Sequence, residues 1–147
     1  MTQNLTDFLN KHESKQYAVR GGNKIHLMLK HIIIDNNTVT GDENIVGQIQ
    51  QHPDLIKYFS PSAKTEVPIA GYIDGVFHSR RIDRLLINSD TKQIDFIDYK
   101  TDADKTKFIH EYKKQLSDYA TLLKSAYPEY KINGFILWTS DWNLESI

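Results

Sequence analysis

Residues 93–139 decide the fold: they read QIDFIDYK at 93–100, FIHEYKKQLSDYATLLKSA at 108–126 and KINGFILWT at 131–139. The first and last of these segments are rich in Ile, Phe and other residues typical of strands. In the middle segment the apolar side chains recur at helical spacing, which predicts one long helix that ends before Pro128. Because a helix joins the two strands as a crossover, we expect them to pair in parallel.

Two further strands are predicted upstream of this unit, at Glu66–Ala70 and Gly75–Asn88. Asp74-Gly75 is a good tight turn between them, and Asn88-Ser89-Asp90 is a good turn before Gln93–Lys100. Strands in this order predict an antiparallel meander. The expected fold class is therefore α/β, with a mixed central sheet flanked by helices.

The N-terminal part of the chain is expected to be helical. Leu5–Lys15 is a short amphipathic segment, and a helix is predicted from Gly22 to Ile34, where Asn36-Asn37 follows. Asp42–Tyr58 predicts a second helical stretch that His52-Pro53 interrupts, because proline favours a new helix start. We expect a single domain over residues 1–147, with a helical part at 1–60 and a sheet–helix core at 61–147.

The composition limits the class of protein. With 147 residues, 39% hydrophobic and 25% charged, the chain is typical of one globular domain. It has no apolar run of about 18 residues and no secretory leader pattern, so no membrane partner is expected and the default location is cytoplasmic. It has no cysteine, which excludes disulfides, thiolate zinc sites and iron–sulfur clusters bound by this chain.

The net charge of −1 is low for a domain that binds nucleic acid by itself. A local basic patch could compensate, or a partner could hold the nucleic acid. Four lysines near the long helix could form such a patch, although a solvated helix face explains them equally well: Lys105, Lys107, Lys113 and Lys114.

Asp98 and Lys100 are the first candidate site residues. Two residues apart in a strand, they point to the same face, and Ile94 and Phe96 precede them on that face. A carboxylate that holds a divalent cation and an ammonium that offsets charge on a phosphate would suit a hydrolase. A solvated strand end or a simple ion pair is the alternative.

Asp83 lies fifteen residues before Asp98, on the preceding strand, and could bring a second carboxylate to the same cation. It is expected on a core-facing side, where an acid costs several kcal/mol unless it is paired or bound to a metal. A structural salt bridge with Arg81 is the alternative. Carboxylate ligands favour Mg²⁺ or Mn²⁺.

Gln115 and Tyr119 are one helical turn apart and share a face of the long helix. A tyrosine in such a stripe is usually part of the core, whereas a glutamine suggests a polar contact such as a phosphate oxygen. His26 lies beside the apolar stripe of the Gly22 helix. A single histidine on a helix is more often a structural residue than a metal ligand.

Five segments in this order resemble one family: Gly22-x-x-x-His26, Glu66-Val67-Pro68-Ile69-Ala70-Gly71, Arg81-Ile82-Asp83-Arg84-Leu85, Ile97-Asp98-Tyr99-Lys100-Thr101 and Gln115-x-x-x-Tyr119. Together they resemble the RecB-type branch of the PD-(D/E)xK nuclease superfamily. The nearest resemblance is to the C-terminal nuclease domain of the AddA subunit of bacterial AddAB helicase–nucleases.

The resemblance implies a role for each matching residue. Asp83, Asp98 and Lys100 would be catalytic, and the metal ligands would be Asp83, Asp98, His26 and the backbone carbonyl of Tyr99. Gln115, Tyr119 and Arg84 would bind DNA, although Arg84 is expected to point to the face opposite Asp83. Glu66 would have a supportive role at the site.

The resemblance also implies a Mg²⁺-dependent exonuclease, with Mn²⁺ as a substitute, that acts in double-strand-break repair and recombination. Its expected partner is DNA, as single strands delivered by a helicase, which would be a portion of the same polypeptide or act with an AddB-like subunit. The sequence has no Gly-x-x-x-x-Gly-Lys-Ser/Thr loop, so no ATP site is expected in this chain. Arg80 departs from the family, which usually has glycine there.

Two other functions remain open at this point. The chain could be a stand-alone repair or restriction-type nuclease of the same superfamily. It could also be a non-catalytic interaction module with a nuclease fold, although the presence of both acids and the lysine argues against this.

Overall fold

The computed structural model of the protein describes residues 24–147. The amphipathic segment predicted at Leu5–Lys15 lies outside the described residues. The helices are α1 over residues 24–30, α2 over Glu43–Gln50, α3 over Pro53–Ile56 and α4 over Ile109–Ala126, with a 3₁₀ turn at Lys57–Phe59. The strands are β1 over Ile33–Ile34, β2 over Val39–Thr40, β3 over Lys64–Ile73, β4 over Val76–Asn88, β5 over Gln93–Lys100, β6 over Lys131–Trp138 and β7 over Asn143–Ser146.

The main sheet has five strands in the order β3-β4-β5-β6-β7. Strands β3, β4 and β5 form the predicted antiparallel meander, and β5 pairs in parallel with β6, as the connection through α4 predicts. The turn at Asp74-Gly75 is tight because both residues adopt positive φ angles, 49° and 77°. The predicted fold class, a mixed central sheet flanked by helices, is confirmed.

Helices cover both faces of the sheet. The α1–α3 cluster lies between the sheet and the N-terminal helices, and its buried members are Leu29, Ile32, Ile34, Ile45, Val46, Ile49, Leu55, Tyr58, Phe59, Ile97, Tyr99, Leu137 and Trp142. The α4 cluster lies on the other face, and its buried members are Ile82, Leu85, Ile94, Phe96, Leu116, Tyr119, Leu123, Ile136 and Trp138. Strand β5 therefore contributes Ile94 and Phe96 to one cluster and Ile97 and Tyr99 to the other.

Two local predictions are wrong. The first described helix ends at residue 30, and Ile33–Ile34 instead pairs with Val39–Thr40 in a small antiparallel hairpin. Both isoleucines are β-branched and favour a strand once a partner strand is available. The second miss is β7, an edge strand of only four residues that pairs with the end of β6.

Strand β4 pairs with its two neighbouring strands over different lengths. Strand β4 pairs with β3 along almost its whole length, whereas it pairs with β5 only over Arg84–Asn88. The first half of β4 therefore continues past β5 as part of a two-stranded arm with β3. Within residues 24–147, no helix has the length and apolar character needed to cross a membrane.

Candidate active site

The site lies where β4 and β5 separate. Their ladder ends at the pair Arg84–Ile97, and in the next position the backbone N–H of Tyr99 donates to Oδ2 of Asp83 over 2.8 Å. A side chain thus takes the place of a backbone acceptor. Asp83 and Asp98 lie on either side of this opening, one on each strand.

The alternation of side chains along β4 shifts by one position near Asp83. Ile82 and Leu85 both belong to the α4 cluster, although residues three apart in a regular strand point to opposite faces. Across from Asp83 in the β3–β4 register, Glu66 has a φ of 50°, a rare conformation for a residue other than glycine. Irregularities of this kind re-aim side chains and occur often beside functional sites.

His26 reaches the opening from helix α1. Its Nε2 lies 3.3 Å from Oδ2 of Asp83, and its ring meets the Tyr99 ring edge to face, with the centroids 5.3 Å apart. The structure thus brings together two residues that are 57 positions apart in the sequence. Arg81, the alternative partner of Asp83, makes no ion pair among the described residues.

Asp98 is the most buried acid in the described part of the chain, with 5% of its surface exposed. Burial, followed by the negative charge of Asp83, raises the pKa of Asp98 to about 6, although Lys100 acts in the opposite direction. Oδ2 of Asp98 lies 2.8 Å from Nζ of Lys100 but makes no hydrogen bond of good geometry with the described residues. This oxygen can accept a further cationic partner.

Lys100 begins a polar chain that runs onto helix α4. Its Nζ donates to Oε1 of Gln115 over 3.0 Å, and Nε2 of Gln115 donates to the hydroxyl of Tyr119 over 2.7 Å. Burial raises the pKa of Tyr119, so its hydroxyl stays neutral at physiological pH. Both polar members of the helix stripe are therefore connected to Lys100, a contact that the sequence analysis did not predict.

Tyr112 is a site residue that the sequence analysis missed. Nζ of Lys100 lies 4.2 Å from the centroid of its ring, within the range of a cation–π interaction. The Tyr112 hydroxyl donates to Oδ2 of Asp102 over 2.6 Å, which fixes the ring. The signal was present, since Tyr112 precedes Gln115 by three residues and therefore lies on the same side of the helix.

Glu66 is opposite Asp83 in register but is turned away from the polar chain. Its nearest cationic partner is Lys30 of helix α1, with 3.6 Å between Oε2 and Nζ, and 41% of its side chain is exposed. Glu66 therefore lies at the border between α1 and β3, and its supportive role in the active site stays a prediction.

The assignment of Arg84 to DNA binding is wrong, because only 2% of this residue is exposed. Its guanidinium donates to the hydroxyl of Tyr99 and to three backbone carbonyls, those of Tyr58, Leu29 and Ile32, over 2.6 to 3.0 Å. It also stacks 4.1 Å from the centroid of the Phe59 ring. Arg84 therefore ties the N-terminal helices to the sheet and has no surface left for DNA.

The four lysines near α4 divide into two pairs. Lys105 contacts Asp141 and Lys114 contacts Asp118, so a carboxylate offsets each of these charges. Lys107 and Lys113 are exposed and make no ion pair among the described residues. The possible basic patch is thus reduced to two lysines.

The donors at the opening are chemically suited to a divalent cation. Carboxylate oxygens suit Mg²⁺ or Mn²⁺, an imidazole suits a transition-metal ion better than Mg²⁺, and the partly unsatisfied, buried Oδ2 of Asp98 fits a further cation. Within residues 24–147, however, no three His, Asp or Glu side chains converge as a ready-made cluster for a metal ion. The ligand set of His26, Asp83, Asp98 and the Tyr99 carbonyl therefore stays a prediction.

A solved structure from Eubacterium rectale, described as a "Putative exonuclease", is similar to this chain with a TM-score of 0.53 and 16% sequence identity. The similarity covers all of this chain and 60% of the other, so the chain spans about three fifths of that protein's length. The two proteins share a fold. No family model and no curated protein matches the sequence. At this identity the likeness shows the fold alone.

Proposed function

We propose that this domain is a divalent-cation-dependent nuclease that hydrolyses DNA phosphodiester bonds. The observation that supports it most is the polar chain from Asp98 through Lys100 and Gln115 to Tyr119, which begins beside Asp83 at the opening of the sheet. A lysine that only closed a salt bridge would not need a glutamine, a tyrosine hydroxyl and an aromatic ring around it.

In the proposed reaction a water oxygen forms a bond to phosphorus, and the bond from phosphorus to one ester oxygen breaks. Lys100 places its ammonium where negative charge develops on the phosphate, and Asp98 and Gln115 hold it there. Asp83, Asp98 and His26 would hold the cation. A bound Mg²⁺ or Mn²⁺ would polarise the phosphate and lower the pKa of the attacking water.

The finer assignments rest on the sequence resemblance. We propose an exonuclease of the AddAB type that trims single strands delivered by a helicase during double-strand-break repair and recombination. The helicase would belong to the same polypeptide or act with an AddB-like subunit. The weak overall charge of −1 favours this arrangement over a nuclease that binds DNA alone, since a motor would supply much of the affinity.

Cleavage of labelled single-stranded DNA tests the proposal. The wild-type protein should cut with Mg²⁺ or Mn²⁺ and not with EDTA, and Lys100→Ala should abolish cutting. Lys131→Ala is a control for the loss of a lysine at a strand end, because Lys131 is exposed and lies opposite Gln93, at the other end of β5. It should cut at the wild-type rate.

Two results would contradict the proposal. Cutting that persists in Lys100→Ala would show that another site, or a contaminant, is responsible. Absence of cutting together with absence of Mn²⁺ binding in calorimetry would favour a non-catalytic module. Mn²⁺ binding without cutting would instead support a competent site that needs its helicase.

A further inference from the structure

The arm formed by β3 and β4 has one covered face and one open face. Val67 and Ile69 pack against the α4 cluster, and Gly71 lies so close to Leu122 of α4 that an added Cβ would meet it at 3.0 Å. The alternate residues of both strands point the other way, and all six are exposed: Pro68, Ala70, Tyr72, Phe77, Ser79 and Arg81. We call these six residues the outer face of the arm.

The outer face has an unusual order of side chains. Its cross-strand pairs run from Pro68–Arg81 through Ala70–Ser79 to Tyr72–Phe77 beside the turn. Tyr72 and Phe77 are 73% and 59% exposed, and their rings meet edge to face with the centroids 5.5 Å apart. A directly opposed aromatic pair stabilises a hairpin by about 0.2–1 kcal/mol. Two large rings that both remain exposed also form an apolar patch of the kind that marks a binding surface.

The charge of this face suits an anionic partner. Between Pro68 and Arg81 the outer face has no carboxylate, and Arg81 makes no ion pair among the described residues. Arg80 is also exposed, but it pairs with Ile69 and therefore belongs to the α4-facing side of the arm, not to the outer face. A stacking surface followed by an arginine is the usual combination for single-stranded nucleic acid, since bases stack on rings and phosphates contact cations.

The outer face is also continuous with the candidate active site. Asp83 follows Arg81 by two residues on β4, a separation of about 7 Å, and Phe77 lies six residues from Asp83, about 20 Å away. A strand whose base stacks on Tyr72 or Phe77 would pass Arg81 before it reaches the opening between β4 and β5.

We propose that the outer face of the arm binds single-stranded DNA and guides it to the active site, with Tyr72 and Phe77 as the stacking residues and Arg81 as a phosphate contact. This inference rests on the proposed nuclease function. It adds the surface that binds the strand outside the active site and the side from which the strand enters.

Fluorescence anisotropy with labelled (dT)₁₂ in EDTA measures binding without cleavage. The double variant Tyr72→Ala/Phe77→Ala should raise the Kd about tenfold or more, the order expected when base stacking on aromatic rings is lost. Arg81→Ala should reduce the slope of log Kd against log salt by about 0.7, the value for one phosphate contact on a single strand. Tyr72→Phe and Phe77→Tyr keep the rings and should bind as the wild type does.

The matched control is Tyr127→Ala. Tyr127 is also an exposed aromatic residue in an edge-to-face pair, with Tyr130 at 5.7 Å between ring centroids, but it lies after the C-terminal end of α4. Its removal should leave the Kd unchanged. If the double alanine variant does not fold, Tyr72→Leu/Phe77→Leu keeps the apolar surface, removes the aromatic faces and decides the same question.

A small chromogenic diester, the p-nitrophenyl ester of thymidine 5′-monophosphate, separates this inference from the proposed function. It is too short to reach the rings, so the double variant should cleave it with Mn²⁺ within twofold of the wild-type rate. Failure of the wild type to cleave either substrate, together with absence of Mn²⁺ binding, would refute the nuclease, while the anisotropy result would still decide the inference.

An unchanged Kd in the double variant would overturn the inference. Light scattering that finds a dimer for the wild-type protein and a monomer for the double variant would also overturn the inference. The outer face would then be a contact between two copies of the chain.

Discussion

Two cations on neighbouring strands have opposite surroundings. Arg84 of β4 lies on the α1–α3 side of the sheet, where its partners are a hydroxyl, three carbonyls and a ring. Lys100 of β5 lies on the α4 side, where its partners are a carboxylate, an amide oxygen and a ring. The sheet thus holds one cation inside the protein and one at the edge of an opening.

The difference shows how a structural cation is distinguished from a reactive one. The planar guanidinium of Arg84 satisfies several acceptors at once, so its donors are fully used by the protein. The compact ammonium of Lys100 has 16% of its side chain exposed and lies beside an acid whose pKa is raised. Substitutions at the two positions should therefore damage different properties.

Lys100→Met should give the largest effect, on activity. The substitution keeps most of the side-chain length and removes the charge, so the cleavage rate should fall about 10²- to 10³-fold, as for loss of a group that stabilises the transition state. The thermal midpoint should stay within a few degrees of the wild type. A variant that retains more than a tenth of the rate would refute the role of Lys100.

Arg84→Met should give the largest effect on stability. The carbonyls of Leu29, Ile32 and Tyr58 would lose their buried donor, and we expect a loss of about 3 kcal/mol or more in the free energy of unfolding. Urea denaturation measures it. Arg81→Met is the control, since this exposed arginine should change stability by about 0.5 kcal/mol at most.

Asp98→Asn should separate stability from activity. Because the pKa of Asp98 is raised to about 6, the folded state binds its proton more tightly than the unfolded chain does. Asp98 thus favours the folded state fully below about pH 4 and loses this contribution as the pH rises through 6. In EDTA, Asp98→Asn should therefore be more stable than the wild type at pH 7, by about 1 kcal/mol or more.

The advantage of Asp98→Asn should vanish near pH 4, where both side chains are neutral, and its nuclease activity should be lost at every pH. Thermal midpoints of the two proteins across this range provide the measurement. If the thermal midpoints of both proteins depended on pH in the same way, the pKa of Asp98 would not be raised in the folded state.

Gln115→Ala should give the smallest effect. Gln115 is half-buried and joins Lys100 to Tyr119, so its loss loosens the ammonium without removing it. We expect kcat/KM to fall about tenfold and stability to change by about 1 kcal/mol or less. The control is Ser117→Ala, an exposed position on the same helix. A large drop in the melting temperature with normal activity would instead favour a packing role.

The order of the main elements could be predicted from the sequence because each one has a strong local pattern. The stripe of α4 and the apolar runs of β5 and β6 were sufficient for the parallel unit, and Asp74-Gly75 was sufficient for the hairpin. The helix end at residue 30 and strand β7 could not be predicted, because both depend on partner strands that a local pattern does not show.

Within the candidate site, the shared faces could be predicted and the distances could not. The two-residue period placed Asp98 with Lys100, and the helical period placed Gln115 with Tyr119. The contact between Lys100 and Gln115 depends on how α4 packs on β5, which no spacing in the sequence determines. The position of Arg84 in its motif predicts a contact with DNA. That its donors are bonded inside the protein depends on tertiary packing, which the motif does not show.

The sequence by itself determined the types of the long elements, the β3–β4–β5 meander, the parallel pairing of β5 with β6 and which polar residues interrupt apolar faces, because these follow from local propensity, side-chain period and connection type. Only the tertiary structure decided that β4 and β5 separate at Asp83, that His26 meets Asp83 there, and that Arg84 is enclosed while Arg81 is exposed. These outcomes depend on the shift in alternation at Glu66 and Asp83 and on the packing of α1, which bring together residues far apart in the sequence.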